Sequence, residues 1–241
     1  MKTAAEDRLI VALDVPDTRG AERLMDRLAG TARVYKIGKE LFTAEGPAIV
    51  RTVQSRGYKV FLDLKYHDIP NTVAGACEAA AKLGVYLMNV HASGGSAMMS
   101  KAAEALRRCA PDASRKPLLL GVTVLTSMGD KDLAEIGVSG DARTQVERLA
   151  VLAQRAGLDG VVASPLEIAA VRKACGENFV IVTPGVRPTW AESGDQKRVM
   201  TPAEAIRAGA DHIVVGRPIT QATDPAEAAR RVLEEVQSAL Q

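Results

Sequence analysis

The sequence predicts an α/β fold, a single-domain (β/α)8 TIM barrel over residues 1–241. Three observations point there. Short β-branched runs alternate with longer Ala-rich segments of helical period along the chain, as parallel α/β folds require. The runs are apolar at most positions, as when helices cover both faces of a parallel sheet. No Gly-x-Gly-x-x-Gly follows the first run, which continues Leu13-Asp14-Val15-Pro16-Asp17, so the main dinucleotide signal of an open, doubly wound sheet is missing.

In chain order the expected strands are Arg8–Val15, Val34–Gly38, Lys59–Lys65, Val85–His91, Leu118–Leu125, Gly160–Ala163, Phe179–Thr183 and His212–Gly216. Helical patterns lie between them, including Ala21–Leu28, Ala74–Leu83, Ser96–Cys109, Thr144–Ala156 and Pro225–Leu240. The longest irregular pieces are Thr126–Asp141 and Gly185–Met200. Long loops inside a compact domain are often functional.

The chain has 31 basic and 29 acidic residues, a net charge of +2. That balance gives no general attraction to nucleic acid or to an anionic membrane, so an anionic ligand must be held locally. Apolar stretches such as Leu118–Leu125 fall well short of the ~20 residues of a membrane helix. The start, Met1-Lys2-Thr3-Ala4-Ala5-Glu6-Asp7, has no secretory pattern, and a cytoplasmic protein is expected. Cys77, Cys109 and Cys175 form no Cys-x-x-Cys pair and are expected to be reduced, small core residues.

In a barrel of this class the active site lies at the C-terminal ends of the strands. The first strand ends in Asp14, the second carries Lys36, and the third reads Phe61-Leu62-Asp63-Leu64-Lys65-Tyr66-His67-Asp68. Strand alternation sets Leu62 and Leu64 under the helices and turns Asp63 and Lys65 into the mouth. It likewise separates Lys36 from Tyr35 and Ile37. The expected result is a cluster of alternating charge, Asp14, Lys36, Asp63 and Lys65, with Asp68 just beyond. An ion network that merely closes the barrel is the plainer reading, but buried charge is a poor structural device, and clustered titratable groups favour a functional site.

The loops after strands seven and eight supply Gly185 and Arg187, then Gly216 and Arg217. In such barrels these loops commonly bind phosphate; glycine lets backbone N–H groups approach the oxygens and arginine offers a bidentate fork. Turn glycines and surface arginines would explain either loop alone, less readily both. No metal site is expected, because His67, His91 and His212 lack ligand spacing and the lysines already neutralise the aspartates. A Schiff-base role needs a neutral amine, whereas carboxylates on either side of Lys65 favour its ammonium form. His91 is expected to be a structural, hydrogen-bonded residue beside the site.

The stretch Asp63-x-Lys65-x-x-Asp68-Ile69-Pro70-Asn71-Thr72 resembles the signature of the orotidine 5′-monophosphate decarboxylases. Asp14 and Lys36 match that family's pattern, as do Val124-Leu125-Thr126-Ser127-Met128, Pro184-Gly185-Val186-Arg187 and Val215-Gly216-Arg217-Pro218. The resemblance runs over the whole chain and implies the single-function form found in bacteria. It implies loss of CO2 from orotidine 5′-monophosphate to give UMP in de novo pyrimidine biosynthesis, without a cofactor. Lys65 would be the proton donor, Asp63 would lie beside the substrate carboxylate, and Lys36 and Asp68 would hold that pair in place. Asp14 and Lys36 would lie near the ribose, Thr126 would contact the pyrimidine, and Gln196 would join Arg187, Gly216 and Arg217 on the phosphate, in a loop suited to a lid. The resemblance further implies a homodimer with shared active sites, in which Asp68 and Thr72 reach the neighbouring subunit. The competing readings are a Mg2+-dependent enzyme like the 3-keto-L-gulonate 6-phosphate decarboxylases and hexulose phosphate synthases, which share Asp-x-Lys-x-x-Asp, and a non-catalytic scaffold. Ile69-Pro70-Asn71-Thr72, Thr126 and Gln196 point away from the first, and retention of Asp63 and Lys65 points away from the second.

Overall fold

A computed structural model of the chain describes residues 4–28, 30–109, 116–191 and 200–241. Its strands are β1 (Leu9–Ala12), β2 (Val34–Gly38), β3 (Lys59–Tyr66), β4 (Leu87–His91), β5 (Leu118–Val122), β6 (Gly160–Val162), β7 (Val180–Pro184) and β8 (His212–Val215). They pair in parallel and in sequential order, and β8 closes on β1 as a barrel. Each expected strand is present, most of them shorter at one or both ends. Arg8, expected in the first strand, instead ends a helical turn, Ala5–Arg8.

The period-two pattern divides the apolar residues into two cores. Ile10, Ala12, Val34, Phe61, Leu87, Leu120, Val122, Val162, Val182 and Val214 fill the barrel interior. Their neighbours along the strands, such as Val11, Tyr35, Ile37, Leu62 and Met88, pack outward beneath the helices. The barrel is therefore plugged by side chains, and a ligand can enter only above that plug. Phe61, 1% exposed, is the largest piece of it. Complete burial of such a side chain contributes roughly 1.5–3 kcal/mol.

The helices stop and start where the sequence supplies caps. Asp17 accepts a hydrogen bond from the Gly20 N–H to open the helix Thr18–Arg27, and Asp141 accepts one from the Thr144 N–H to open Ala142–Arg155. Pro70 stands at the first turn of the helix Pro70–Lys82, where its missing N–H is harmless. Ile69 before it is extended, ψ 153°, as proline demands of its predecessor. The piece Thr126–Asp141, expected to be irregular, contains the helix Asp130–Glu135, which starts with the Asp132 carboxylate accepting the Gly129 N–H at 2.7 Å. Cys77 and Cys175 are buried as expected, but Cys109 is exposed, together with Arg107 and Arg108 in the last turn of the helix Gly95–Cys109.

Barrel closure is tight where β6 meets β7. A Cβ placed on Gly160 would lie 2.2 Å from the Val180 carbonyl oxygen, so even alanine must push the two strands apart. Gly160→Ala is expected to cost roughly 1–3 kcal/mol, the usual range for overpacking. The check is urea unfolding: a lower midpoint at unchanged slope is expected, and an unchanged midpoint would mean that the junction yields freely.

Candidate active site

At the C-terminal mouth β2, β3 and β4 each carry a polar residue directly above their plug residue. These are Lys36 above Val34, Asp63 above Phe61 and Asn89 above Leu87. The Lys36 ammonium lies 3.0 Å from Asp14 Oδ1 and 3.6 Å from Asp63 Oδ2. Asp63 Oδ1 accepts from Lys65 Nζ at 2.6 Å and from Asn89 Nδ2 at 2.7 Å. The expected cluster of Asp14, Lys36, Asp63 and Lys65 is therefore assembled.

The local backbone is not the regular strand that simple alternation assumes. Between β3 and β4 the register runs from Leu62 opposite Met88 to Tyr66 opposite Val90. Three residues of β3, Asp63, Leu64 and Lys65, thus stand against one residue of β4, Asn89. Lys65 takes up the excess with φ 52°, the one non-glycine residue with positive φ among the described residues. For such a residue the left-handed region costs roughly 1–2 kcal/mol. The Lys65 N–H, displaced from the ladder, donates instead to Asn89 Oδ1 at 2.8 Å. Asn89 is fully buried and is the functional residue that the sequence reading missed.

Charge in the cluster is set by these contacts. Burial pushes the Asp63 carboxyl up, but Lys36 and Lys65, with the hydrogen bonds from Lys65 and Asn89, outweigh it and hold the group below the usual carboxylate range. Burial, then the charges of His67, Lys39 and Lys65, push the His91 imidazole down. His91 is half-buried and rests against the His67 ring with centroids 5.5 Å apart; among the described residues it forms no side-chain hydrogen bond. His212 is buried, with Nδ1 2.9 Å from the Asp7 carbonyl oxygen at the opposite end of the barrel. Burial pushes the Cys77 thiol up to about 12, which removes it as a nucleophile.

Two cavities meet at Lys36, Asp63 and Lys65. The deeper, about 280 Å3, has the plug residues Phe61, Val122, Val162 and Val214 for a floor and Thr126, Ser127 and Pro184 on its walls. The shallower, about 350 Å3, is bounded by Asp14, Gly38 and Lys39. Across the mouth, Arg187 is half-buried after β7 and Arg217 is exposed after β8. Burial first, and then the charge of Arg217, hold the Arg187 guanidinium below its ordinary value. The two guanidinium groups are thus close enough for their like charges to oppose one another. Gly216 caps the short helix Arg217–Thr220, the position where barrels of this kind receive phosphate.

Not every expected residue joins the site. Asp68 does not approach Lys65 or Asp63 within its own chain. It is exposed and its carboxylate accepts from the following Ile69 N–H at 2.6 Å, because the strand turns outward toward Pro70. Thr72 is exposed in the first turn of the next helix. Gln196 lies outside the described residues. Among the described residues no group of three or more His, Cys, Asp or Glu side chains is placed to hold a metal ion, and no helix is long and apolar enough to cross a membrane.

A plugged barrel with an ion-paired lysine above its floor and an arginine pair on the last two loops defines the class: a (β/α)8 enzyme acting on an anionic small molecule. The profile of the orotidine 5′-phosphate decarboxylase / HUMPS family matches residues 7–232, and the chain belongs to that family. It is 57% identical over 235 residues to the orotidine 5′-phosphate decarboxylase of Moorella thermoacetica, covering 97% of this chain and 93% of that one. To the protein of the same name from Syntrophotalea carbinolica it is 54% identical, over 100% and 99% of the two chains. Among solved structures, orotidine 5′-phosphate decarboxylase from Lactobacillus acidophilus superposes with a TM-score of 0.85 at 39% identity, covering 95% of this chain and 99% of that one.

The depressed Asp63 carboxyl has a consequence for stability. Its folded pKa lies below the unfolded value, so its contribution is present above about pH 4 and is lost as pH falls through the folded value. Asp63→Asn should flatten that acid limb of stability. At pH 7 it should also destabilise, because Lys36 and Lys65 lose their shared counter-charge, by less than the roughly 3–5 kcal/mol of a fully buried pair. Urea midpoints measured at both ends of that pH range test the sign; a variant as acid-sensitive as the wild type would contradict it.

Proposed function

We propose that this chain decarboxylates orotidine 5′-monophosphate to UMP and CO2, in the cytoplasm and in pyrimidine biosynthesis. The observation that carries the reading is the Lys65 ammonium, fixed 2.6 Å from Asp63 at the junction of an apolar-floored cavity and a polar one. A pyrimidine ring fits the deeper cavity, with Thr126 available to its polar edge. The ribose fits the shallower one, beside Asp14 and Lys36. The phosphate then falls toward Gly216, Arg187 and Arg217. The names of the relatives, at 54–57% identity over nearly the full length, support this substrate over the sugar phosphates of the family's other branch.

In this reading the bond from C6 to the carboxylate breaks, its electron pair stays on C6, and CO2 departs. The Lys65 ammonium stabilises that developing negative charge and then donates its proton to C6. Lys65 is left neutral and regains a proton from water. Asp63 would lie beside the leaving carboxylate; its fixed negative charge disfavours the charged ground state, while Lys36 holds it in place. The chemistry asks for no electron acceptor and no Lewis acid, since the pyrimidine and Lys65 together carry the charge. Lys65→Ala should lower kcat by several orders of magnitude in a folded protein, with loss of substrate absorbance followed in the presence of EDTA. A variant within about tenfold of wild type, about 1.4 kcal/mol of barrier, would overturn the role of Lys65. A wild-type enzyme that dies on chelation and revives with Mg2+ would favour the sugar-phosphate branch.

The same reading includes a homodimer with shared sites. Its support is the exposure of Asp68, Ile69 and Thr72 at the rim, Ile69 being 68% exposed although apolar, so that a second subunit would cover it and receive Asp68. Mixing Lys65→Ala with Asp68→Ala subunits gives heterodimers in which one site carries both lesions and the other none. Random reassortment should return about a quarter of wild-type activity. No recovery, with subunit exchange confirmed by mass spectrometry, would place Asp68 in its own subunit's site.

A further inference from the structure

We propose that Asn89 is a positioning residue for this reaction, a side-chain substitute for the missing strand ladder that holds the Lys65 backbone and the Asp63 carboxylate in one geometry. The inference rests on the decarboxylase reading for its kinetic arm, and on geometry alone for its structural one.

The bulge creates two needs at one point. The Lys65 N–H has lost its place in the β3–β4 ladder, and a buried donor left unmade costs roughly 1–3 kcal/mol. Asp63 Oδ1 must face Lys65 Nζ without rotating toward Lys36 alone. One amide meets both needs, with its oxygen taking the Lys65 N–H at 2.8 Å and its NH2 donating to Asp63 at 2.7 Å. The two partners also fix which way the amide points, because the first is solely a donor and the second, when ionised, solely an acceptor. Asn89 itself is held by β4, where it stands opposite Leu120 of β5 with no freedom to move aside. The strained φ of Lys65 thereby becomes the device that starts its side chain toward the mouth. Without Asn89 the chain can relax into regular strand and carry Nζ away from C6. A displacement of about 1 Å at a reacting group commonly costs on the order of 100-fold in rate.

Two substitutions separate positioning from mere packing. Asn89→Leu keeps the branched shape and removes both hydrogen bonds. The expectation is a fall in kcat of about 100-fold, with UMP affinity within about threefold, since product binding rests on the phosphate and base contacts. Activity within about fivefold of wild type, or an equal loss of UMP affinity and turnover, would overturn the proposal. Asn89→Asp adds a pH readout. The groups facing that position are Asp63 and Lys65 from β3, Lys36 beyond Asp63 on β2, and His91 further along β4; β5 (Leu118–Val122) has no titratable residue. Two carboxylates at hydrogen-bond distance cannot both stay ionised without separating. The new acid restores the geometry when protonated, donating its O–H to Asp63 and accepting from Lys65. Its activity relative to wild type should climb by up to about tenfold per pH unit as pH falls, and taking the ratio cancels any titration of His91 common to both proteins. A flat ratio would overturn the proposal, and this arm decides the matter if Asn89→Leu does not fold. Should the wild type itself prove inactive on orotidine 5′-monophosphate, the function falls and the positioning is still decided. The Cα and Cβ chemical shifts of Lys65 report its φ: a move to extended values in Asn89→Leu, or in Asn89→Asp at high pH, supports the role of Asn89, and unchanged shifts refute it.

Discussion

Asp63 stands where an isolated carboxylate would not stay ionised, above a floor of Phe61 and valines with its side chain 12% exposed. It stays charged because two ammonium groups and one amide converge on it, and each of these is held by a different strand or by the bulge. The attraction of Lys36 and Lys65 outweighs the burial that would otherwise neutralise the acid. The reverse is equally true: two lysines this close above an apolar plug need the carboxylate between them. The three charges form one unit, and the barrel wall around them is shaped by the need to present all three at one height.

That need accounts for the irregular stretch of β3. In a regular strand Asp63 and Lys65 would sit two residues apart along the axis, with Lys65 a full repeat higher and its N–H in the ladder. The bulge compresses this rise, places three residues of β3 against Asn89, and brings Nζ back onto the Asp63 carboxylate. Backbone strain of this kind persists only where surrounding packing over-determines it, and here Leu62 and Leu64 on the outer face pin the segment beneath the helices. Stability given up at Lys65 is thus the local counterpart of a fixed ammonium. Such trades are expected at sites whose geometry is set by chemistry and not by folding alone.

The barrel and most of its site were legible in the sequence for definite physical reasons. Period-two alternation is forced on any strand that separates a plug from an outer core, so the inward placing of Lys36, Asp63 and Lys65 could be read from apolar neighbours alone. Asn89 could not. Its strand, Leu87-Met88-Asn89-Val90-His91, contains one small amide whose role arises from a register shift between two strands, and no single-strand pattern encodes a shift between two. A polar residue on the inward face beside the Asp-x-Lys strand was the one available signal. Asp68, three residues from Lys65 in sequence, is exposed next to the extended Ile69 ahead of Pro70, the outward path that the proline led one to expect. Asp130–Glu135 spans six residues, less than two helical turns, so periodicity had too little length to register it.

The two halves of the mouth meet through Asp14. The ion network belongs to β2, β3 and β4, whereas the arginines follow β7 and β8, and β1 lies between β8 and β2 in the closed sheet. From the end of β1, Asp14 reaches Lys36 at 3.0 Å on one side, and on the other its second carboxylate oxygen lies 3.6 Å from where a Cβ on Gly216 would be. A ligand that touches both the lysines and the arginines must therefore pass over Asp14, whose side chain is 60% exposed and free to accept from hydroxyl groups. A nucleotide has that sequence of parts, with base, hydroxylated sugar and phosphate in a line. Under the proposed function, binding energy gained at the phosphate, far from the bond that breaks, would act through a rigid wall to hold the base against Lys65. In such an arrangement remote contacts raise kcat as well as affinity, because they fix the reacting carbon relative to a charge that is itself already fixed.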